Sequence, residues 1–61
     1  MCEANAYLVE NNTEQLVMEA VDKVDFEEDG LRLVNIYGEQ KFIKARIQAL
    51  FLVEHRILLR P

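Results

Sequence analysis

The sulfur of Cys2 is the strongest metal ligand in this chain, and it lies one peptide bond from the first residue. A thiolate binds late transition metals tightly. With Met1 in place, the Met1 amine, the Cys2 amide nitrogen and the Cys2 sulfur can close two five-membered chelate rings on one ion. Planar nitrogen and sulfur donors suit Ni(II) or Cu(II), whereas tetrahedral zinc would need further Cys or His ligands. Alternatively, Cys2 is a small residue without a metal role.

Two further residues could join a metal bound at Cys2. Glu3 could place its carboxylate near the ion, although an exposed, solvated carboxylate is the ordinary alternative. His55 is the chain's single imidazole and would act near neutral pH as a ligand or proton carrier. Because Glu54 and Arg56 flank it, a solvated histidine at a strand end is the favoured interpretation. Cys2 with His55 is the only thiol–imidazole combination and lacks a third group, so we expect no enzyme activity.

Size sets the second constraint. The chain has 61 residues, which predicts a single domain over residues 1–61. A domain this short buries only roughly 60% of the surface that its unfolded chain exposes. One cysteine cannot form an internal disulfide framework, and small domains without one often gain stability from a metal or from self-association. We therefore expect a homodimer, and a two-fold axis near the Cys2 residues would bring two thiolates together.

Charge and hydropathy restrict the partners and the compartment. The formal net charge is −4, which opposes nucleic-acid binding because phosphate contacts depend on Lys and Arg. No apolar stretch is long enough to span a bilayer, and the first residues lack the pattern of a secretory signal. A single unpaired cysteine is typical of the reducing cytoplasm. The basic side chains concentrate late in the chain, where a local patch would consist of Lys41, Lys44, Arg46, Arg56 and Arg60.

Polar turn signals at short, even intervals predict an all-β fold. They occur at residues 11–13, 27–30, 37–39 and 54–55. Asp29-Gly30 is the clearest hairpin signal, since both residues tolerate the positive φ of tight turns. The runs between these turns predict a small β-barrel or meander of about six short strands. Helices over Glu14–Val24 and Gln40–Leu52 are the alternative, but neither segment ends in a glycine stop.

Two surface features carry open interpretations. Residues 35–40 have the composition of a recognition loop, but a structural bend with a bulge at Gly38 explains them better. The later strands carry apolar residues on both faces. The surplus apolar side is expected to form the dimer interface, because contiguous exposed apolar surface usually indicates association.

Three segments resemble the CooT family, and the resemblance extends over essentially the whole chain. They are Met1-Cys2-Glu3-Ala4, Leu33-Val34-Asn35-Ile36-Tyr37-Gly38-Glu39-Gln40 and Leu52-Val53-Glu54-His55-Arg56-Ile57-Leu58-Leu59. Members of that family are small, dimeric nickel-binding proteins linked to maturation of carbon monoxide dehydrogenase, with a fold similar to a small β-barrel. Their functional residue is the cysteine directly after the initiator methionine, and Cys2 matches it.

The resemblance implies a nickel metallochaperone. It would bind Ni(II) through Cys2 at a dimer interface, and the position of Met1 and Glu3 beside Cys2 makes them the further candidate ligands. It would deliver the metal to carbon monoxide dehydrogenase or its other maturation factors. Similar sequences have been labelled RNA-binding, so a small barrel that binds RNA or a protein partner, without a metal role, is the alternative.

Overall fold

The computed structural model describes residues 3–61, which form six strands in one sheet and no helix. The strands are β1 (Ala4–Glu10), β2 (Thr13–Glu27), β3 (Gly30–Asn35), β4 (Gln40–Ile43), β5 (Arg46–Phe51) and β6 (Arg56–Arg60). The all-β prediction is confirmed, and both segments with helical potential are strands. No helix among residues 3–61 is long and apolar enough to cross a membrane.

Strands that follow each other along the chain form hairpins at the predicted turns, except β4 and β5. Asn11 and Asn12 have φ values of 55° and 62°, the left-handed conformation that a two-residue hairpin turn requires at both central positions. Asparagine adopts this conformation more readily than most residues. The turn therefore sets the pairing of β1 with β2, which begins at Glu10 opposite Thr13.

Gly30 has a different role from the one its turn signal suggested. The β2–β3 turn lies at residues 28–29, and Gly30 is the first paired residue of β3, opposite Glu27. Its φ is not positive; among the described glycines only Gly38 has a positive φ, at 85°. A Cβ on Gly30 would clash with the Ile43 carbonyl oxygen and lie 3.0 Å from the Lys44 Cα. Close backbone approach, not turn geometry, is what requires glycine here.

The expected closure into a barrel is wrong. The strand order is β4-β3-β2-β1-β6-β5, so β4 and β5 are the two edges and are not hydrogen-bonded to each other. Three residue steps separate Ile43 from Arg46, so the edges meet within at most ~11 Å at this corner. Ala45 is buried in the core there. The chain turns through Ala45, and β5 then pairs with β6 instead of β4, which leaves a curled but open sheet.

One parallel pairing joins the two parts of the sheet. β1 pairs with β6 in parallel from Asn5 opposite Arg56 to Leu8 opposite Leu59, whereas the other pairings are antiparallel. The core lies on the concave side of the curled sheet. Its buried members are Ala6, Met18, Val21, Leu31, Leu33, Ala45, Ile57 and Leu59.

A bulge in β2 lets this long strand follow the curl. Two residues of β2, Glu19 and Ala20, lie opposite the single residue Asn5 of β1. Ala20 has a φ of 57°, unusual for a residue with a Cβ. Its N–H donates to the Asn5 side-chain oxygen at 3.1 Å, and its carbonyl accepts from the Ile36 N–H at 2.9 Å. The strand thereby returns Val21 to the core face.

The loop at residues 35–40 is a structural bend, as the sequence favoured. Asn35 is only 5% exposed, and its side-chain oxygen accepts from the N–H groups of Tyr37 and Glu39 at 3.0 and 2.9 Å. Its side-chain nitrogen donates to the Glu39 carboxylate at 2.7 Å. The buried Asn35 amide therefore supplies the acceptor for two backbone N–H groups of the turn.

Replacing Ala20 by glycine should stabilise the protein. Relief of the left-handed strain is worth about 1–2 kcal/mol, and the greater freedom of the unfolded chain offsets about 0.4–1 kcal/mol of this. We expect the free energy of unfolding, measured by urea denaturation, to rise by about 0.5–1 kcal/mol. Ala49→Gly, in edge strand β5, is the control and should lower it by about 0.5–1 kcal/mol. Equal losses in both variants would contradict the strain at Ala20.

Removing the Asn35 side chain should destabilise the loop and the sheet edge beside it. Asn35→Ala leaves two backbone N–H groups without their acceptor, so we expect a loss of about 2–3 kcal/mol in urea denaturation. Asn35→Asp combined with Glu39→Gln is the matched control. It exchanges donor and acceptor across the same pair and should stay within about 1 kcal/mol of the parent. An unchanged urea midpoint for Asn35→Ala would show that the loop does not depend on the Asn35 side chain.

Candidate functional site

The described part of the chain begins beside the predicted metal ligands. Met1 and Cys2 lie outside the described residues, and their ligand roles stay predictions. Glu3 is half-buried and directly precedes β1. Glu3 and its contacts are therefore the described structure nearest to Cys2.

The turn between β5 and β6 holds the start of β1. The His55 carbonyl accepts the Asn5 N–H at 2.9 Å, just before the parallel pairing of β1 with β6 begins. The His55 N–H donates to the Leu52 carbonyl at 3.2 Å and closes its own turn. A φ of 58° at His55 turns the backbone into this arrangement.

The His55 ring contacts the same segment a second time. Its Nδ1 lies 3.1 Å from the Glu3 carbonyl oxygen. A carbonyl oxygen can only accept, so Nδ1 carries the proton and donates. In the neutral ring Nε2 is then unprotonated and carries a lone pair. A backbone carbonyl that accepts from Nδ1 commonly fixes this tautomer.

The sequence interpretation of His55 was correct on exposure but missed this contact. The side chain is exposed, as a solvated histidine would be, yet it is also hydrogen-bonded to a residue 52 positions away. A local turn signal cannot reveal that partner. The available signal was the continuous apolar run Ile57–Leu59, which is typical of parallel strands that are covered on both faces. A parallel partner must come from a distant part of the chain, and here it is β1.

Arg56, next to His55, is engaged elsewhere. Its guanidinium forms an ion pair with Glu14 and lies 4.9 Å from the centre of the Tyr7 ring. Both partners lie in the β1–β2 hairpin. Arg56 therefore stabilises the junction of β6 with that hairpin and leaves the Glu3 carbonyl to His55.

The described residues do not supply a metal site by themselves. Within residues 3–61, no three side chains of His, Cys, Asp or Glu are grouped so that they could hold an ion. Met18 is buried in the core, where its thioether packs among apolar side chains.

An apolar groove adjoins this end of the sheet. Its volume is about 510 Å³, and Glu3 and His55 belong to its lining. The remaining lining is mostly apolar and includes Val24, Phe26 and Ile47. Phe26 is 75% exposed, and the β5–β6 turn beside the groove exposes Leu52 and Val53 at 77% and 92%. The predicted surplus of apolar surface is thus present, and it lies next to the segment that leads to Cys2.

The basic residues that are concentrated late in the chain are divided by the fold. The Lys41 ammonium donates to the Val17 carbonyl at 3.1 Å, and Arg56 is paired with Glu14. Arg46 and Arg60 lie opposite each other in the β5–β6 pairing. Lys44 and Arg46 line one cleft together with the acidic residues 27–29. These neighbouring carboxylates reduce the positive potential that nucleic-acid binding requires.

Arg32 is the centre of a second group of charged contacts on the surface of the sheet. Arg32 donates to the Glu27 carboxylate at 2.8 Å, and this hydrogen bond and charge raise the pKa of the guanidinium above its ordinary value. The Arg32 guanidinium also lies 5.7 Å from the centre of the Phe42 ring. These contacts are exposed and link β2, β3 and β4.

Known proteins share both the sequence and the geometry described above. A family model for the CO dehydrogenase accessory protein CooT matches residues 1–60. A crystal structure assigned to CooT from Carboxydothermus hydrogenoformans is 52% identical in sequence, with a TM-score of 0.93. The match covers 97% of this chain and 95% of that chain. The comparison with curated proteins finds no match.

The family match includes Cys2 and the Glu3 segment that the β5–β6 turn holds. The resemblance drawn from the sequence is confirmed, and the chain belongs to the CooT family of CO dehydrogenase accessory proteins.

Proposed function

We propose that this protein captures Ni(II) through the Cys2 thiolate and delivers it for maturation of carbon monoxide dehydrogenase. One observation carries the proposal. The chain belongs to a family of CO dehydrogenase accessory proteins, and its single cysteine is Cys2. The Met1 amine and the Cys2 amide nitrogen complete a planar nitrogen and sulfur donor set. Such donors favour Ni(II) among the divalent ions, apart from Cu(II). Glu3 is the third proposed contributor.

The proposed mechanism is metal transfer without catalysis. The thiolate retains nickel against weaker ligands, and placement at the end of the chain allows a recipient's ligands to exchange with it. The recipient is carbon monoxide dehydrogenase or another of its maturation factors. Cu(II) binds such a site more tightly than Ni(II), so selectivity rests on metal supply and partner contacts. A single unpaired cysteine supports a cytoplasmic setting.

The protein acts as a homodimer in this proposal, with one Ni(II) held between two Cys2 residues near the two-fold axis. The apolar groove and the exposed Leu52 and Val53 support this arrangement, because a contiguous apolar surface of this kind usually associates. Glu3 lines the groove. A second copy packed there in isologous fashion would bring its own N-terminal segment close to the first.

Replacing Cys2 by serine should remove nickel binding. A serine hydroxyl stays protonated near neutral pH, so Cys2→Ser loses the charged sulfur ligand, and we expect affinity in calorimetric titration to fall at least about 100-fold. The sulfur-to-nickel charge-transfer absorption should disappear as well. In the parent protein affinity should weaken as pH falls, because the thiol must lose its proton to bind.

Met18→Leu is the matched control for sulfur. It removes a buried thioether with little change in core volume and should leave nickel affinity unchanged. Nickel binding that persists at full strength in Cys2→Ser would remove the proposed function.

Placing a charge on the β5–β6 turn should dissociate the dimer. Leu52→Lys inserts an ammonium into the proposed apolar interface, which should weaken dimerisation by about 2 kcal/mol or more in sedimentation equilibrium. Leu16→Lys is the control, since Leu16 is also exposed but lines a different cleft. Cys2→Ser should remain dimeric. A parent protein that sediments as a monomer would remove the proposed interface. Equal dissociation of both lysine variants would show that the interface is not at the β5–β6 turn.

A further inference from the structure

We propose that His55 is a positioning residue for nickel capture. Through its ring it fixes the Glu3 peptide, the last described point of the backbone before Cys2. The inference rests on the proposed function for its nickel consequence. Its structural part concerns only residues 3–5 and His55.

Two separate hydrogen bonds from one residue restrain the start of β1. The backbone carbonyl of His55 holds the Asn5 N–H at 2.9 Å, and the ring Nδ1 donates to the Glu3 carbonyl at 3.1 Å. Any residue at position 55 could make the first bond. Only a side chain that donates at the right reach can make the second. The ring therefore extends the restraint one residue beyond β1, from Ala4 to the Glu3 carbonyl.

The backbone conformation makes the side chain at position 55 informative. His55 has a φ of 58°, which glycine adopts at lower cost. The turn by itself gives no reason for a donor side chain. The contact with Glu3 gives one, because glycine has no side-chain donor, whereas the imidazole Nδ1 reaches the Glu3 carbonyl.

A fixed Glu3 peptide lowers the entropic cost of chelation. The donors of Met1 and Cys2 must adopt one arrangement around the ion, and each backbone residue so ordered costs about 1–2 kcal/mol. If the adjoining peptide is already held, fewer torsions remain to be restricted when the metal binds. Arg56 does not compete for the Glu3 carbonyl, because it is paired with Glu14. The bond is exposed, so its effect on affinity should be modest.

The test compares His55→Asn with His55→Leu in the full-length protein. Asparagine carries its Nδ2 donor on Cγ, where the imidazole carries Nδ1, whereas leucine has no donor. We expect His55→Leu to lower Ni(II) affinity in calorimetric titration by about threefold to tenfold. His55→Asn should stay within about twofold of the parent. If the imidazole were instead a nickel ligand, asparagine would fail as leucine does, and equal losses would overturn the positioning role.

A second readout needs no metal. In the metal-free protein, amide hydrogen exchange at Ala4 and Asn5 should accelerate in His55→Leu and stay near the parent rate in His55→Asn. Unchanged exchange in His55→Leu would overturn the inference whatever the nickel result. Faster exchange in a protein whose parent form binds no Ni(II) would confirm that His55 restrains this segment and would remove the proposed function instead.

Discussion

The parallel pairing of β1 with β6 is the constraint on which this structure depends. It is the only strand pairing described that joins the meander β1–β4 to the hairpin β5–β6. Ala6 and Leu59, both fully buried, lie on these two strands and bring the halves of the core together. The same pairing places the β5–β6 turn over the start of β1, where His55 reaches Glu3 and Asn5. Core formation and the position of the candidate site thus have one origin.

Local chemistry explains which parts of the fold the sequence predicts. The Asn11-Asn12 turn and the Gly38 bend follow from residues that tolerate positive φ, and the all-β class follows from the runs between such turns. The sequence did not predict the open sheet, because closure depends on whether β5 pairs with β4 or β6 after the short link at Ala45. Gly30 was misinterpreted for a related reason: its backbone neighbour, Ile43, comes from the next hairpin.

The candidate site shows the same division between local and distant information. The metal chemistry expected of Cys2 and its neighbours rests on residue types alone and stays a prediction. The support for that segment depends on a contact between residues 52 positions apart, which no local pattern encodes. The groove that adjoins Glu3 was expected only as surplus apolar surface. The described structure places this groove beside the N-terminal segment, so the proposed association surface adjoins the segment that leads to the proposed metal ligands.

The separation of β1 and β6 along the chain also orders events during folding. Contacts distant in sequence form late, since closing a long loop costs entropy before any contact compensates for it. The β1–β2 and β2–β3 hairpins can form while the rest of the polypeptide is still being synthesised, but β6 leaves the ribosome after both of them. The Glu3 carbonyl therefore acquires its histidine partner only after the β5–β6 turn has been made. A nascent chain that ends before this turn can fold its first hairpins but lacks the contact that restrains Glu3.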